Sequence, residues 1–267
     1  MSGPGGDAAH APSDLVGLEV VRDKTAGSLA DSGFLRVRRL VLRNVYRDGT
    51  RSADYDCDVM SRARTDAVAA AVFEVRGAPG SPRVPWVLLK TGVRPPVWLR
   101  RGLRLVQPDT RPWGLLPEVV AGMLEPGDTG PRGIERRAVS ECLEEAGLTV
   151  DERAVRPLGA ESFPSPGVTD EKVHFRAVEA DLSARVRPTG DGSPMEEGGT
   201  VVVWPLSDAI EACRTGKVPD MKTEVALLRL ADAIGYVPQL QRFVDDLPAD
   251  LRAAWRPLAA GSGASGA

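Results

Sequence analysis

The stretch EVVAGMLEPGD, residues 118–128, lies ten residues ahead of VSECLEEAGL, residues 139–148. The second stretch falls within a predicted helix from about 132 to 146, and Gly147 is its expected stop because glycine readily takes the left-handed conformation that ends a helix. Small and apolar residues recur along one side of this helix, which is therefore predicted to be its buried side. These residues are Ile134, Ala138, Cys142 and Ala146.

The same helix carries three glutamates on one face. Glu141, Glu144 and Glu145 are related by i+3 and i+4, and side chains at those spacings project together. Like charges so placed repel each other, and hence they need either solvent or a bound cation. Carboxylate oxygens suit a hard divalent cation such as Mg²⁺, which can bind substrate phosphates at the same time. A solvated acidic stripe is the alternative, and the helix alone leaves both readings open.

The loop and the helix together resemble a Nudix box. The pattern of that family is Gly, five residues, Glu, seven residues, Arg-Glu, an apolar residue, any residue, Glu-Glu, any residue, Gly and an apolar residue. Gly122 is followed after five residues by Asp128, and residues 141–148 match the helical end of the pattern in register. The resemblance implies a hydrolase of nucleoside diphosphates linked to another moiety.

Two departures from the family pattern stand out. Four additional residues separate Asp128 from the helical signature, and Ser140 stands where the family has an arginine that orients the metal-binding carboxylates. Arg137 lies one helical turn before Glu141, and a cation at that spacing can pair with the carboxylate. We therefore expect Arg137 to supply the missing charge.

Further motifs resemble the ADP-ribose pyrophosphatase subgroup of the family. The loop at 118–128 is similar to the turn that precedes the helix in that subgroup. VLLKTGVRPP, residues 87–96, looks like the strand whose arginine contacts the diphosphate, and SFPSPGVTDEKVHF, residues 162–175, looks like a loop at the substrate. The motifs occur in the subgroup's order, and the resemblance runs from about residue 34 to residue 235.

The resemblance implies a role for each matching residue. The subgroup places its general base on an acidic loop between the last two sheet strands, here RPTGDGSPMEEGGT, residues 187–200, and counting back from the strand TVVVW favours Glu196 over Glu197. The cofactor implied is Mg²⁺, with Mn²⁺ as a substitute. The implied metal ligands are Ala121 (through its carbonyl), Glu141 and Glu145, the implied substrate-binding residues are Arg94, Glu118 and Gly167, and the implied catalytic residues are Glu144, Glu196 and Glu197.

The rest of the chain predicts an α+β or α/β sandwich and not a regular βαβ series, because a strand-rich first half is followed by one helix, further strands and then helices. Strands are predicted at 34–46, 51–60, 66–75, 85–93, 171–182 and 200–206, and later helices at 207–216, with Ser207 as N-cap, and at 223–235. The resemblance implies a Nudix α/β/α sandwich with a mixed sheet and an N-terminal antiparallel β segment. The expected parts are a disordered extension (1–30), the β segment (31–62), the Nudix domain (63–236) and a C-terminal amphipathic helical segment with a flexible tail (237–267).

Composition narrows the classes of partner. The chain has 267 residues, and 34 basic against 37 acidic side chains give a net charge of −3, so general nucleic-acid binding is not expected. Two histidines are too few for a multi-histidine metal site, and three widely spaced cysteines indicate no disulfide framework. No apolar run suits a membrane span and the N-terminus lacks a signal pattern, so we expect a cytoplasmic protein that does not bind membranes.

The expected activity is hydrolysis of ADP-ribose, or of a related nucleoside diphosphate sugar, to AMP and ribose 5-phosphate. The resemblance also implies a homodimer formed through the N-terminal β segment. A UDP-sugar diphosphatase is an alternative, since no motif reads the base. A weakened Nudix module that binds a nucleotide sugar as a sensor or scaffold is another, favoured by Ser140 and the four-residue insertion and opposed by the three retained glutamates.

Overall fold

The centre of the fold is the strand β3 (Ala67–Arg76), whose sequence AVAAAVFEVR is almost wholly apolar. Such a run suits a strand covered on both faces, and residues 68–73 are all buried.

The computed structural model describes residues 33–45, 47, 52–78, 80–130, 132–190 and 199–256. The other strands are β1 (Leu35–Leu42), β2 (Tyr55–Arg62), β4 (Val84–Gly92), β5 (Leu116–Glu118), β6 (Val120–Met123), β7 (Val155–Pro157), β8 (Val173–Glu179), β9 (Val201–Pro205), β10 (Tyr236–Val237) and β11 (Arg242–Phe243). The helices are α1 (Pro95–Trp98), α2 (Gly133–Ala146), α3 (Leu206–Arg214), α4 (Met221–Ala233) and α5 (Ala249–Ala254).

The main sheet is mixed. On one edge of β3, β8 runs parallel and pairs with residues 67–73, and β7 lies antiparallel beyond it. On the other edge, β4 runs antiparallel and pairs with residues 72–76, and β9 lies antiparallel beyond β4. The parallel β3–β8 pair thus sits between antiparallel neighbours.

A split in this sheet positions the loop that precedes α2. The first residues of β3, 67–70, pair with β6, whereas the last residues of β4, 90–92, pair with β5. The chain from Leu116 to Met123 therefore lies between β3 and β4 where these two strands diverge. Ala121 and Gly122 are held in this split, and α2 lies against β6 and β3.

Helices cover both faces of the sheet. On one face the apolar side of α2 packs on β3, and the buried residues of that layer include Val68, Ala70, Val72, Ala138, Cys142 and Ala146. On the other face α3 and α4 pack on the alternate residues of β3, and the buried residues of that layer include Ala69, Ala71, Phe73, Leu227 and Leu230. Alternate side chains of β3 therefore belong to two separate hydrophobic cores, one on each face of the sheet. The predicted α/β/α sandwich with a mixed sheet is confirmed.

The end of α2 is set by Gly147, as predicted. Its φ is +65°, and its N–H donates to the carbonyl of Leu143 at 3.1 Å. A Cβ at this position would lie 2.0 Å from the carbonyl oxygen of Val186, so packing as well as backbone conformation requires glycine. The helix therefore stops where the following chain passes close to it.

The N-terminal strands form the expected antiparallel hairpin. β1 and β2 pair from Leu35 opposite Arg62 to Leu42 opposite Tyr55. The end of β2 is attached to the segment that contains the Ser-Pro-Gly motif, because the N–H of Met60 donates to the carbonyl of Val168 at 2.8 Å. No helix in the described ranges is long and apolar enough to cross a bilayer.

Two local predictions were wrong. The segment after α4 is not mainly helical: β10 and β11 form a small hairpin around Gln241, whose φ is +52°, and α5 has only six residues. Prolines at 238 and 248 interrupt helix formation there, and the ring of Tyr236 packs edge-on against Phe243. Helix α3 begins at Leu206, one residue before the predicted cap Ser207, because Pro205 occupies the N-cap position.

Candidate active site

A cleft of about 1720 Å³ lies beside the split in the sheet. It exceeds the roughly 300–1,000 Å³ of most small-molecule sites, so it has room for an extended ligand. Predicted site residues that line it are Arg94, Ala121, Glu141, Glu144 and Glu145. The basic residues of its wall are Arg62, Arg64, Lys90, Arg94, Arg137, Arg185, Arg187 and Lys222. Cations and carboxylates therefore face the same space.

Glu145 is held at the floor of the cleft by the split in the sheet. Its side chain is 6% exposed, and its Oε2 accepts a hydrogen bond of 2.9 Å from the backbone N–H of Ala121. Its Oε1 pairs with the ammonium of Lys90, which comes from β4. The predicted ligands Ala121 and Glu145 are thus adjacent, and a protein cation also lies on this carboxylate.

Glu141 fills the space that Gly122 leaves. A Cβ built at Gly122 would lie 1.7 Å from Oε1 of Glu141, so only glycine lets this carboxylate reach its position. Glu141 is buried, at 8% exposure. The glycine that opens the box pattern is therefore explained by the approach of the helix carboxylate to the β6 backbone, 19 residues apart in the chain.

Arg137 supports Glu141, as its spacing predicted. Its Nη1 lies 3.6 Å from Oε1 of Glu141, and its Nε donates to Oδ2 of Asp128 at 2.7 Å. The same Asp128 oxygen accepts the backbone N–H of Glu125 at 2.7 Å, which ties the loop to the helix. Ser140 donates to the carbonyl of Arg136 at 3.2 Å instead. Ser140 therefore lacks the function of the family's arginine, but the guanidinium of Arg137, one helical turn earlier, lies beside the Glu141 carboxylate that this arginine would orient.

We expect Arg137→Ala to lower both divalent-metal affinity and kcat by about tenfold, since removing a residue that orients a metal ligand typically costs 10–100-fold. Mn²⁺ titration followed by electron paramagnetic resonance, together with steady-state kinetics, measures both. Arg136→Ala is the matched control, because Arg136 is exposed on the same helix and its guanidinium donates to the carbonyl of Thr129 at 2.7 Å. Unchanged metal affinity and turnover in Arg137→Ala would refute the assigned role.

The oxygens at this site fit a hard divalent cation by their chemistry. The carboxylates of Glu141 and Glu145 and the carbonyl of Ala121 are the ligand type that Mg²⁺ prefers. In the part of the chain that the structure describes, however, no group of three or more His, Cys, Asp or Glu side chains is already arranged around one point. Lys90 and Arg137 instead neutralise the two carboxylates. The donor set therefore fits such a metal, with Arg137 placed beside the ligand Glu141 and Lys90 sharing the ligand Glu145.

A second charged group lies next to the first. Glu118 is 4% exposed and accepts two hydrogen bonds from Arg94, from Nε at 2.9 Å and from Nη2 at 2.5 Å. Lys222, in the first turn of α4, donates to the same carboxylate at 3.1 Å. The predicted substrate-binding pair is thus brought together, with Glu118 behind Arg94. Arg94 and Lys222 line the cleft, whereas Glu118 anchors them.

The ionisation of Glu118 follows from these contacts. Burial by itself raises the pKa of Glu118, but the hydrogen bond from Arg94 and the charges of Lys222 and Arg94 outweigh burial and lower this pKa from 4.5 to about 2. The carboxylate is therefore charged at any physiological pH. Because the folded-state pKa is depressed, its stabilising contribution is complete above about pH 4.5 and is lost as the pH falls towards 2.

Glu118→Gln is expected to lower the free energy of unfolding at pH 7 by about 2 kcal/mol, because two cations lose the anion between them. The loss stays moderate since Arg94 is 38% and Lys222 23% exposed, and water can solvate both. Urea unfolding between pH 7 and pH 3 measures it, and the difference from the unsubstituted protein should shrink below pH 4.5. Asp246→Asn, which breaks an exposed pair with Arg83, should change little. A difference that stays constant with pH would contradict this account.

The remaining predicted residues lie elsewhere or outside the described chain. Gly167 is exposed in a turn closed by a 3.0 Å bond from Val168 N–H to the Ser165 carbonyl, and Pro164 of this segment lines the cleft instead. Glu196 and Glu197 fall in residues 191–198, outside the described residues. Their assignment as general base stays a prediction.

The arginines of the long stretch after Arg94 are largely engaged locally. Arg100 pairs with Asp109 at 3.0 Å, and Arg101 stacks on Trp98 at 3.9 Å. Arg111 stacks on Trp113 at 4.7 Å. These contacts favour a structural role for these arginines over phosphate binding.

Lys222 and the residues that position it were not predicted as part of the site. Asp220 caps α4 by accepting the N–H of Thr223 at 3.0 Å, and the Thr223 hydroxyl accepts the N–H of Val119 at 2.9 Å. The order Asp220, Met221, Lys222, Thr223 is an N-cap signal that places Lys222 in the first helical turn. Starting the predicted helix at Thr223 concealed it. Only the fold brings this turn beside Glu118.

Comparison with known proteins decides the family. No family model matches the sequence. A GDP-mannose pyrophosphatase of Cronobacter sakazakii is 30% identical over 214 residues, which cover 80% of this chain and 94% of that enzyme. The chain belongs to the Nudix hydrolase family. The loop at 118–128 and helix α2 form the Nudix box of this chain, which is similar to that of the ADP-ribose pyrophosphatase subgroup.

Other similar proteins agree with this Nudix assignment. The GDP-mannose pyrophosphatase of Pectobacterium atrosepticum is 34% identical over 114 residues, which are 43% of this chain and 54% of that enzyme, so this match spans about half of the relative. A crystal structure of an ADP compounds hydrolase superposes with a TM-score of 0.51 at 14% identity, over 77% of this chain and 89% of that one. At that identity the superposition supports the Nudix fold alone.

Proposed function

We propose that this Nudix hydrolase cleaves the diphosphate of a nucleoside diphosphate sugar in a reaction that depends on a divalent cation. The observation that carries the proposal is one cleft with carboxylates at its floor, from Glu141 and Glu145, and cations on its wall, from Arg94 and Lys222. A diphosphate needs cations around its oxygens, and hydrolysis needs stabilisation of the charge that develops on them. Both are available within one space.

Each residue has a defined task in this proposal. Glu141, Glu145 and the carbonyl of Ala121 would hold Mg²⁺, or Mn²⁺ in its place, whose chemistry is to neutralise the diphosphate oxygens and activate water. Arg94, fixed by Glu118, would bind a phosphate oxygen through its guanidinium. Glu144 lines the same cleft, and Glu196 is our candidate for the base that takes the proton of the attacking water.

Two substrates lead the candidates. ADP-ribose follows from the motifs around Ala121 and Arg94 and would give AMP and ribose 5-phosphate. GDP-mannose is the second candidate, because the relatives at 30% and 34% identity are named GDP-mannose pyrophosphatases. UDP-glucose represents the remaining class of base. Neither the motifs nor the cleft residues named above select one base, so kcat/KM for each substrate decides among them.

The test is phosphate release coupled to alkaline phosphatase, which acts on monoester products and not on the intact diphosphate. ADP-ribose, GDP-mannose and UDP-glucose are incubated with Mg²⁺ or with EDTA, and each reaction is stopped by heat and given excess Mg²⁺ and Zn²⁺ before alkaline phosphatase, itself a metal-dependent enzyme, is added. We expect turnover of at least one substrate that is lost with EDTA, and the highest kcat/KM identifies the base and sugar. Binding by calorimetry without turnover of any substrate would instead support the sensor alternative, for which Ser140→Arg is the first restoring substitution.

We also propose that the chain forms a homodimer through the hairpin β1–β2. Apolar side chains on this segment are strongly exposed in the single chain, with Phe34 at 66%, Val41 at 68% and Val45 at 67%. A segment that exposes several large apolar side chains is expected to cover them with a partner. Sedimentation equilibrium should give twice the chain mass, and Val41→Asp should give a monomer. A monomeric unsubstituted protein at micromolar concentration would refute the dimer.

A further inference from the structure

Lys90 occupies a place where the strand pattern calls for an apolar residue. Along β4, Trp86 and Leu88 belong to the layer that packs under α2, and Lys90 continues the same stripe two residues later. Its side chain is only 14% exposed. A buried ammonium is costly unless a carboxylate accompanies it, so its partner must be fixed in place.

That partner is Glu145, which the proposed function makes a metal ligand. The ammonium pairs with Oε1, while Oε2 is bonded to the N–H of Ala121 at 2.9 Å. Both oxygens of this carboxylate are therefore engaged within the protein. A divalent cation and an ammonium on the same carboxylate repel each other, so metal binding at Glu145 opposes its contact with Lys90.

We propose that Lys90 is a built-in counter-cation that holds Glu145 in position when no metal is bound and competes with the divalent cation for it. This inference rests on the proposed function, because it takes Glu141 and Glu145 as metal ligands. In the metal-free protein, Lys90 offsets the repulsion between the helix carboxylates. When the metal binds, the ammonium moves off Glu145 into the cleft that it lines, where the diphosphate is an alternative anion.

The competition has a distinctive consequence. Removing the ammonium should increase metal affinity, whereas damage to the site or partial unfolding would decrease it. Lys90 is thus a positioning residue whose loss is expected to increase the affinity for the divalent cation. If Lys90 were only a structural residue, its replacement would decrease metal affinity or leave it unchanged.

The experiment is Mn²⁺ titration of the full chain without substrate, with free Mn²⁺ read by electron paramagnetic resonance. We expect Lys90→Met to bind Mn²⁺ about tenfold more tightly than the unsubstituted protein, and Lys90→Gln serves if the Met variant fails to fold. Lys172→Met is the control, because Lys172 pairs with Asp66 at 3.7 Å and Glu161 at 3.8 Å and does not line the cleft. Its affinity should be unchanged.

The outcomes separate this inference from the proposed function. Tighter binding in either Lys90 variant supports the competition. Equal or weaker binding in the folded variants, while the unsubstituted protein binds Mn²⁺, overturns the role of Lys90 and leaves the metal site standing. Absence of Mn²⁺ binding in every protein overturns the metal site and this inference together.

Discussion

Replacing Glu145 by glutamine is expected to lower kcat by about 10³-fold, which corresponds to about 4 kcal/mol of transition-state stabilisation. Glutamine has nearly the same shape, and its amide oxygen can still accept the N–H of Ala121, so the backbone here should keep its position although Lys90 loses its anion. What is lost is the negative charge that would bind the divalent cation. The coupled phosphate assay measures kcat, and circular dichroism checks that the fold is retained.

Glu211→Gln is the matched control for this variant. Glu211 is exposed on α3, so the same chemical change there should leave kcat unaltered. If Glu145→Gln retains more than about a tenth of the turnover of the unsubstituted enzyme, Glu145 is not a metal ligand on which catalysis depends. The proposed mechanism would then need a different cation site.

Gly122→Ala should reduce kcat by about 10²-fold with little loss of stability. The new methyl group would lie 1.7 Å from Oε1 of Glu141, so this carboxylate must move by more than an ångström. Displacements of about 1 Å can cost 10²-fold in rate. The fold should tolerate the change, because the displaced atoms are the end of a flexible side chain. Kinetics and Mn²⁺ affinity should both decline.

Gly127→Ala separates this steric effect from a general effect of alanine in the loop. Nothing lies within 4 Å of a Cβ built at Gly127, which belongs to the same 118–128 stretch. Its kcat should stay within about twofold of the unsubstituted value. Should Gly122→Ala behave like Gly127→Ala, the close approach of Glu141 to β6 is not needed for activity.

Local patterns sufficed for those elements whose signals lie within a few residues. The apolar stripe of α2 and its glycine stop predicted the helix within one residue of its observed start. Prediction failed after residue 238, where the amphipathic pattern does not form the expected helical segment, because two prolines interrupt it and β10 and β11 pair with each other. The general base at Glu196 is still a prediction, as residues 191–198 lie outside the described chain.

The acidic face of α2, the glycine at 122 and the family resemblance could be predicted from the residues alone, since each depends on spacing along one chain segment. Tertiary structure alone decided which cations meet those carboxylates. Lys90 reaches Glu145 from a neighbouring strand, and Lys222 reaches Glu118 from a helix 104 residues further on. Charges interact through space, and a buried charge is costly without its partner. These contacts therefore follow from the packing of β4, β5 and α4 and not from any local sequence pattern.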